Sequence, residues 1–235
     1  IDIDKRNNIS DIGFESITEN KMIKEASDGN GGIFRSMAIH GCLGDMKKRG
    51  VKWLFIGSID NVLLKMVDPT LIGLAEERGV QIATKSVIKS HPHERVGVIC
   101  KKEGKVGVIE YSELSKELAE AVDEDGDLTY GESHIMCNLF NIDILDKLAK
   151  VKLPYHKAHK KNSYLNEKGD LIVPDEPNSY KFETFIFDSF NYVNDIAILR
   201  GTREVDFAPI KNKEGADSPE TARVLYNNYW KNNEE

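Results

Sequence analysis

Cysteine is scarce in this chain of 235 residues, at three. Cys42, Cys100 and Cys137 are odd in number, far apart and set among apolar neighbours. That pattern excludes a disulfide framework and reads as reduced, buried thiols of a cytoplasmic protein. A zinc site is not expected. No run approaches the roughly 18 apolar residues of a membrane-spanning helix, and no secretory leader is recognisable, so no membrane partner is expected. A basic face is missing too. Lys and Arg total 32 against 39 Asp and Glu, a net charge of −7, and the cations are scattered. This argues against nucleic-acid binding, and any anionic ligand must find local cations. Internal repeats and low-complexity tracts are also lacking.

What is present is enough apolar material, 40% of the residues, to bury a core as one large domain or as a domain with an appendage. The division expected is a leader over 1–27, the main α/β domain over 28–200 and an extension over 201–235. The chain begins with Ile1 rather than Met, so it reads as a portion of a longer polypeptide.

The stretch Asp28-Gly29-Asn30-Gly31-Gly32 concentrates glycine just ahead of a helical pattern. Such a loop lets backbone approach a flat ligand and adopt positive φ. Ile33, Met37, Leu43 and Met46 follow helical spacing and predict a helix over 33–49, ended by Arg49-Gly50. The amides of Gly31 and Gly32 would then lie at a helix N-terminus, which favours anions. The alternative is a plain strand-to-helix turn.

Val51-Lys52-Trp53-Leu54-Phe55-Ile56 reads as a buried strand. A helical stretch broken at Asp68-Pro69, a helix over 70–78, and strands over 80–89, 95–101 and 105–111 follow, with Gly104 turning a hairpin. A charged helix leads to Asp123-Glu124-Asp125-Gly126-Asp127, which lacks EF-hand spacing and reads as a solvated loop. A strand over 128–138, a helix over 141–149, a basic segment over 151–173 and a phenylalanine-rich helix over 181–194 come next. A strand over 196–200 and a helix over 218–231 complete the chain. The alternation predicts an α/β fold with a mixed central sheet flanked by helices. In open sheets of this class ligands bind beyond the carboxyl ends of strands, which selects Asp60 as a metal ligand or, alternatively, as a helix cap.

Several of these runs resemble one family. They are Asp28 to Arg35, Ile59-Asp60-Asn61-Val62-Leu63, Val67-Asp68-Pro69, Val96 to Cys100 and Val108 to Glu113. Pro177-Asn178, Lys181-Phe182-Glu183, Phe185 to Asp188, Arg203-Glu204, Phe207 to Asn212 and Pro219 to Arg223 extend the likeness. In order and spacing, over about residues 22 to 225, the chain is similar to eukaryotic-type UDP-N-acetylhexosamine pyrophosphorylases. The resemblance implies a nucleotide-diphospho-sugar transferase (Rossmann-like) fold, and a uridylyltransferase that makes UDP-sugar and pyrophosphate from UTP and a sugar 1-phosphate. It places Gly29 against uracil, Asn30, Gly97, Glu110 and Tyr164 against the sugar, Asp60 on Mg²⁺, and Lys181 as the catalytic, phosphate-neutralising cation. Arg203-Glu204 and Lys211-Asn212 are read as loop salt bridges.

Two departures stand out. The family's sugar-site Asn appears here as His134, within Gly131-Glu132-Ser133-His134, which leaves the sugar open. A glycine-rich loop of the form L-x-G-G-x-G-T-R-L-G, a lysine after it and a uracil-reading Gln-Pro do not occur. The chain therefore reads as the later part of such an enzyme, inactive by itself, or as a shortened nucleotide-sugar or protein-binding relative. The oligomeric state is not legible.

Overall fold

The computed structural model describes residues 26–102, 104–166 and 168–232. The leader expected over 1–27, with its short strand, falls almost wholly outside them. The architecture is a mixed six-stranded sheet with helices on both faces, together with two separate two-stranded sheets.

The sheet is organised around one long strand, β5 (Glu132–Asn141). On one side β5 pairs antiparallel with β2 (Ile82–Ile88), and β10 (Ala197–Arg200) adds to β2 in parallel. On its other side the end of β5 pairs with β1 (Trp53–Gly57), while Ser133 meets β3 (Val98–Lys102), which forms a hairpin with β4 (Lys105–Ile109). Gly104, at φ 80, makes the hairpin turn read from the sequence.

Side chains alternate across this sheet and so build two cores. Ile82 and its register partner Phe140 face the layer of α1 (Ile33–Ile39), α2 (Cys42–Lys48), α5 (Ile142–Leu148) and a 3-10 helix (Ile186–Tyr192), with Phe34, Leu43, Leu145, Phe187 and Phe190. Ala83 and its partner Leu139 face the opposite layer, with Leu71 and Ala75 of α3 (Pro69–Arg78) and Phe207. Each large side chain buried this way stabilises the fold by about 1.5–3 kcal/mol.

Pairing of β2 with β5 is interrupted. Thr84 faces Asn138 and Ser86 faces His134, so the one residue Lys85 lies opposite Ile135, Met136 and Cys137. Met136 takes φ 51, a left-handed conformation unusual for a side chain of its size. The bulge redirects His134 and Met136, and the candidate site gathers around it.

Several local expectations are corrected. The helix over 33–49 is two short helices, because Gly41 sits at φ 74 and opens the second one. Residues 61–67 form turns rather than a helix. Asp68 does not break a helix but starts one: its carboxylate accepts from Thr70 N at 2.9 Å and Leu71 N at 3.3 Å, and Pro69 fills the first helical position. The basic segment holds β6 (His156–Lys160) and a hairpin of β7 (Tyr164–Leu165) and β8 (Leu171–Ile172). The helix over 181–194 is a strand, β9 (Ser179–Glu183), paired antiparallel with β6, then the 3-10 helix. The terminal helix stands as read: α7 (Pro219–Lys231) begins at a capping box of Ser218 and Thr221. Two shorter helices, α4 (Lys116–Glu120) and α6 (Arg203–Asp206), complete the set. Cys137 is buried but Cys100 is half-buried and Cys42 exposed, contrary to the expectation of three buried thiols. Among the described residues no helix is long and apolar enough to cross a membrane.

Candidate functional site

The glycine loop docks on the residue that follows β9. Gly31 N donates to Thr184 O at 2.9 Å, and Thr184 N donates to Asp28 O at 2.8 Å. A Cβ on Gly29 would lie 2.2 Å from Thr184 O, and one on Gly31 would lie 2.8 Å from Thr184 Oγ1. The glycines thus admit Thr184, and the Gly31 amide is spent there rather than offered at a helix N-terminus. Asn30 is fixed by the same junction: its Oδ1 accepts from Ile186 N at 2.8 Å, and its Nδ2 points at the Met136 sulfur, 3.9 Å away.

Met136 connects this loop to Asp60. Ser58, just beyond β1, donates its N–H to Met136 O at 3.0 Å, and its hydroxyl donates to Asp60 Oδ1. Asp60 does not cap a helix. It lies in a loop zipped to residues 206–210: Ile210 N donates to Asp60 O at 2.7 Å and Val62 N to Ala208 O at 3.1 Å. Asn61 locks the zipper from inside. It is 4% exposed, donates Nδ2 to Asp206 O at 2.8 Å and accepts from Ala208 N at 2.8 Å. Lys211, which the sequence reading sets aside, is thereby held next in line to the residue bonded to Asp60. Its Nζ donates to Arg95 O at 3.0 Å. Arg203, read as part of a loop salt bridge, instead opens a short helix and pairs with the buried Glu94.

Gly97, Glu110 and His134 come together at the β3 end of the bulge. His134 N donates to Gly97 O at 2.9 Å, and a Cβ on Gly97 would meet Val108 Cγ1 at 2.7 Å and Glu110 Oε1 at 3.4 Å. A side chain at 97 would crowd Val108 beside the Glu110 carboxyl. Burial pushes the Glu110 carboxyl up, and the charges of His156 and Lys211 oppose it. His134 is buried between Phe187 and Phe190, with ring centroids 5.8 Å away in each case. Burial pushes its imidazole down to about 4, against a 2.9 Å hydrogen bond with Asn138 Oδ1. At neutral pH it is uncharged. Because Asn138 Oδ1 also accepts from Thr84 Oγ1 at 2.8 Å, it acts as an acceptor; the His134 proton sits on Nε2 and Nδ1 is left an acceptor.

One residue beside this group escapes the sequence reading. His156, met there only as part of a basic segment, lies between Glu113 and Asp188, at 2.8 and 2.9 Å. No motif spacing announces it, because its partners are 43 and 32 positions away. Two further predicted residues are placed elsewhere. Lys181 is on β9 rather than at a helix start, and its Nζ reaches Glu183 at 2.8 Å and Ser27 at 3.2 Å, on the flank of the glycine loop. Tyr164 is on the separate β7–β8 hairpin, opposite Ile172.

Among the described residues no group of three or more His, Cys, Asp or Glu forms a metal cage. Asp60, a single half-buried carboxylate beside a serine hydroxyl, suits Mg²⁺ instead, which takes one or two protein carboxylates and fills its sphere with phosphate and water oxygens.

A mixed α/β sheet flanked by helices is the architecture this chain shares with solved UDP-sugar pyrophosphorylases. The chain belongs to the family described as UTP--glucose-1-phosphate uridylyltransferase, whose model matches residues 11–218. It is 41% identical over 213 residues to UDP-N-acetylglucosamine pyrophosphorylase of Saccharomyces cerevisiae, covering 87% of this chain and 44% of that one. It is 37% identical over 228 residues to UDP-N-acetylhexosamine pyrophosphorylase-like protein 1 of Xenopus tropicalis, covering 93% of this chain and 45% of that one. A crystal structure from Entamoeba histolytica, assigned as UDP-N-acetylglucosamine pyrophosphorylase, superposes with a TM-score of 0.79 at 34% identity, over 89% of this chain and 52% of that one. The chain thus spans under half the length of the curated relatives it matches.

Proposed function

We propose that these residues form the sugar-binding and metal-holding part of a uridylyltransferase site that joins UTP to a sugar 1-phosphate, releasing pyrophosphate. The observation that carries this reading is the convergence of Asn30, Asp60, His134, Gly97 and Glu110 on the β5 bulge, in a chain that belongs to the uridylyltransferase family. In the reaction an oxygen of the sugar phosphate attacks the α-phosphorus of UTP in line, the bond to the β-phosphate oxygen breaks, and pyrophosphate leaves. Positioning and charge neutralisation do most of the work in such transfers.

Glu110 and the bare Nδ1 of His134 accept from sugar hydroxyls, and Asn30 presents its amide beside Met136. Gly29 sets the backbone against the uracil. Asp60 would hold Mg²⁺, which when bound draws charge from the phosphate oxygens. Lys181, on the glycine-loop flank, and Lys211, beside the Asp60 loop, are the cations available for phosphate. The sugar is an N-acetylhexosamine, in keeping with the names of the relatives above, and the compartment is cytoplasmic.

A pyrophosphate-release assay on the full-length protein, with UTP, Mg²⁺ and a panel of hexose and N-acetylhexosamine 1-phosphates, tests the reading. Turnover with an N-acetylhexosamine 1-phosphate is expected. Its absence with every sugar would sink the assignment.

A further inference from the structure

We propose that His156 is a positioning residue of the sugar pocket: as an imidazolium held between Glu113 and Asp188, it ties the loop after β4 to the 3-10 helix and so sets where Glu110 meets the sugar. The proposal rests on the uridylyltransferase reading for its consequence, though not for its geometry.

The geometry is specific. His156 opens β6. Its Nδ1 is 2.8 Å from Glu113 Oε1 and its Nε2 is 2.9 Å from Asp188 Oδ2. A neutral imidazole has one N–H and can donate to only one of them, whereas an imidazolium donates to both. Burial pushes the two ends of the His156–Asp188 pair in opposite senses, disfavouring the imidazolium and lifting the Asp188 carboxyl. A neutral imidazole would satisfy both contacts only if one carboxyl stayed protonated at neutral pH, well above the ordinary range for Asp or Glu. The ion pair is therefore the arrangement that fits, and the two carboxylates lift His156 above its usual value despite its burial.

What the clamp joins matters more than its strength. Glu113 lies three residues beyond Glu110, with Glu113 N donating to Glu110 O at 2.9 Å. Asp188 follows Phe187, whose ring contacts both His156 and His134 at 5.8 Å. One imidazole thus fixes the backbone turn that aims Glu110 and the aromatic wall that packs His134. The titratable neighbours are few. Glu113 and Asp188 bond the ring directly, and Glu110 feels its charge. Lys211 acts on Glu110, and Glu183, the register partner of His156 on β9, is engaged by Lys181. Of these, His156 is the group that loses positive charge as pH rises through a value its two carboxylates lift above the usual 6.5.

Loss of the imidazolium proton releases one carboxylate and loosens the turn at Glu110. The KM for sugar 1-phosphate should then rise with pH, while the KM for UTP stays level. The test uses the full-length protein. His156→Gln, which cannot donate at both ends, should raise the KM for sugar 1-phosphate about tenfold and abolish its alkaline limb, with UTP changed less than about twofold. Glu113→Gln keeps the ring and removes one partner, at an exposed site that does not threaten folding. It should move the alkaline limb to lower pH.

Ring-resonance NMR of His156 supplies a readout independent of turnover. An imidazolium at pH 7 whose titration midpoint falls in Glu113→Gln is expected. A neutral ring at pH 7 would overturn the clamp, as would an alkaline limb unmoved by Glu113→Gln or unaltered KM values in His156→Gln. If no sugar supports turnover, the catalytic reading fails by itself and the NMR titration decides the clamp.

Discussion

Ile210 donates its backbone N–H to the carbonyl of Asp60 at 2.7 Å, which sets Lys211 beside the loop proposed to hold the metal. The bond is one of a ladder, with Val62 to Ala208 and the side chain of Asn61 bridging Asp206 and Ala208. Two irregular segments far apart in sequence are thereby made into one rigid unit, as a site that positions phosphate requires.

Asp60→Asn tests the metal assignment. The carboxylate accepts from the Ser58 hydroxyl, which an amide oxygen can still satisfy, so the thermal midpoint should move by no more than a few degrees. Turnover with Mg²⁺ should drop by about a hundredfold or more. Near-normal steady-state rates would remove Asp60 from the metal site.

Lys181 and Lys211 compete for one role. Lys181 is already neutralised by Glu183 at 2.8 Å, whereas the Nζ of Lys211 is bonded to a carbonyl, Arg95 O, and keeps a net charge to offer. Lys211→Ala should therefore lower kcat by at least about tenfold more than Lys181→Ala. The reverse order in steady-state assays would return the phosphate role to Lys181, as the family resemblance first suggested.

Lys85 is 6% exposed at its side chain and lies 2.5 Å from Asp68 Oδ2 and 2.7 Å from Asp206 Oδ1. It joins α3 and α6 to β2. Lys85→Met would strand the buried Asp206 carboxylate and the half-buried one of Asp68, at a cost of about 3–5 kcal/mol measured by urea unfolding. Burial opposes both charges, but the paired hydrogen bonds win, raising Lys85 above 10.5 and lowering Asp68 below 3.8. The lysine contribution is thus complete below pH 10.5 and lost as pH climbs through the higher folded value. The Asp68 contribution is complete above pH 3.8 and lost as pH falls through the lower one. Wild-type stability should show both limbs; Lys85→Met should lose the alkaline one and keep only a weaker acid one, because Asp68 still accepts from Thr70 N and Leu71 N. A wild-type fall confined to one side would refute the triad as an ion pair.

The central sheet was legible where side-chain pattern and burial agree. Val51 to Ile56 predicts β1, and the run around Gly104 predicts the β3–β4 hairpin, because an apolar run and a glycine turn are local signals. The glycine at 41 hid a helix break, since only its φ of 74 reveals it. The stretch over 181–194 misled for another reason. Four phenylalanines at mixed spacing fit a buried helix, yet Phe182 is on an edge strand, Phe185 precedes a 3-10 helix and Phe187 and Phe190 are on it, in shapes fixed by β6 and by the glycine loop docked on Thr184, both distant in sequence. For the site, the family resemblance named residues that the fold does gather, Gly97, Glu110, His134 and Asn30. It did not indicate His156 or Lys85, whose partners are set by tertiary contact alone.

His134 carries the last prediction. Burial holds its imidazole down to about 4 in the folded chain, against 6.5 for an unconstrained histidine. Between these values the unfolded chain binds the proton and the folded one does not, so stability falls as pH drops from 6.5 to 4 and levels off below. The full shift is worth about 3 kcal/mol. His134→Asn keeps a group able to donate to Asn138 Oδ1 and removes this one titration, so its stability should fall less steeply than that of wild type across that window. Urea midpoints at half-unit steps of pH measure both proteins. A wild-type curve no steeper than that of His134→Asn would mean that His134 is solvated and charged, and it could not then present a bare Nδ1 to a sugar hydroxyl.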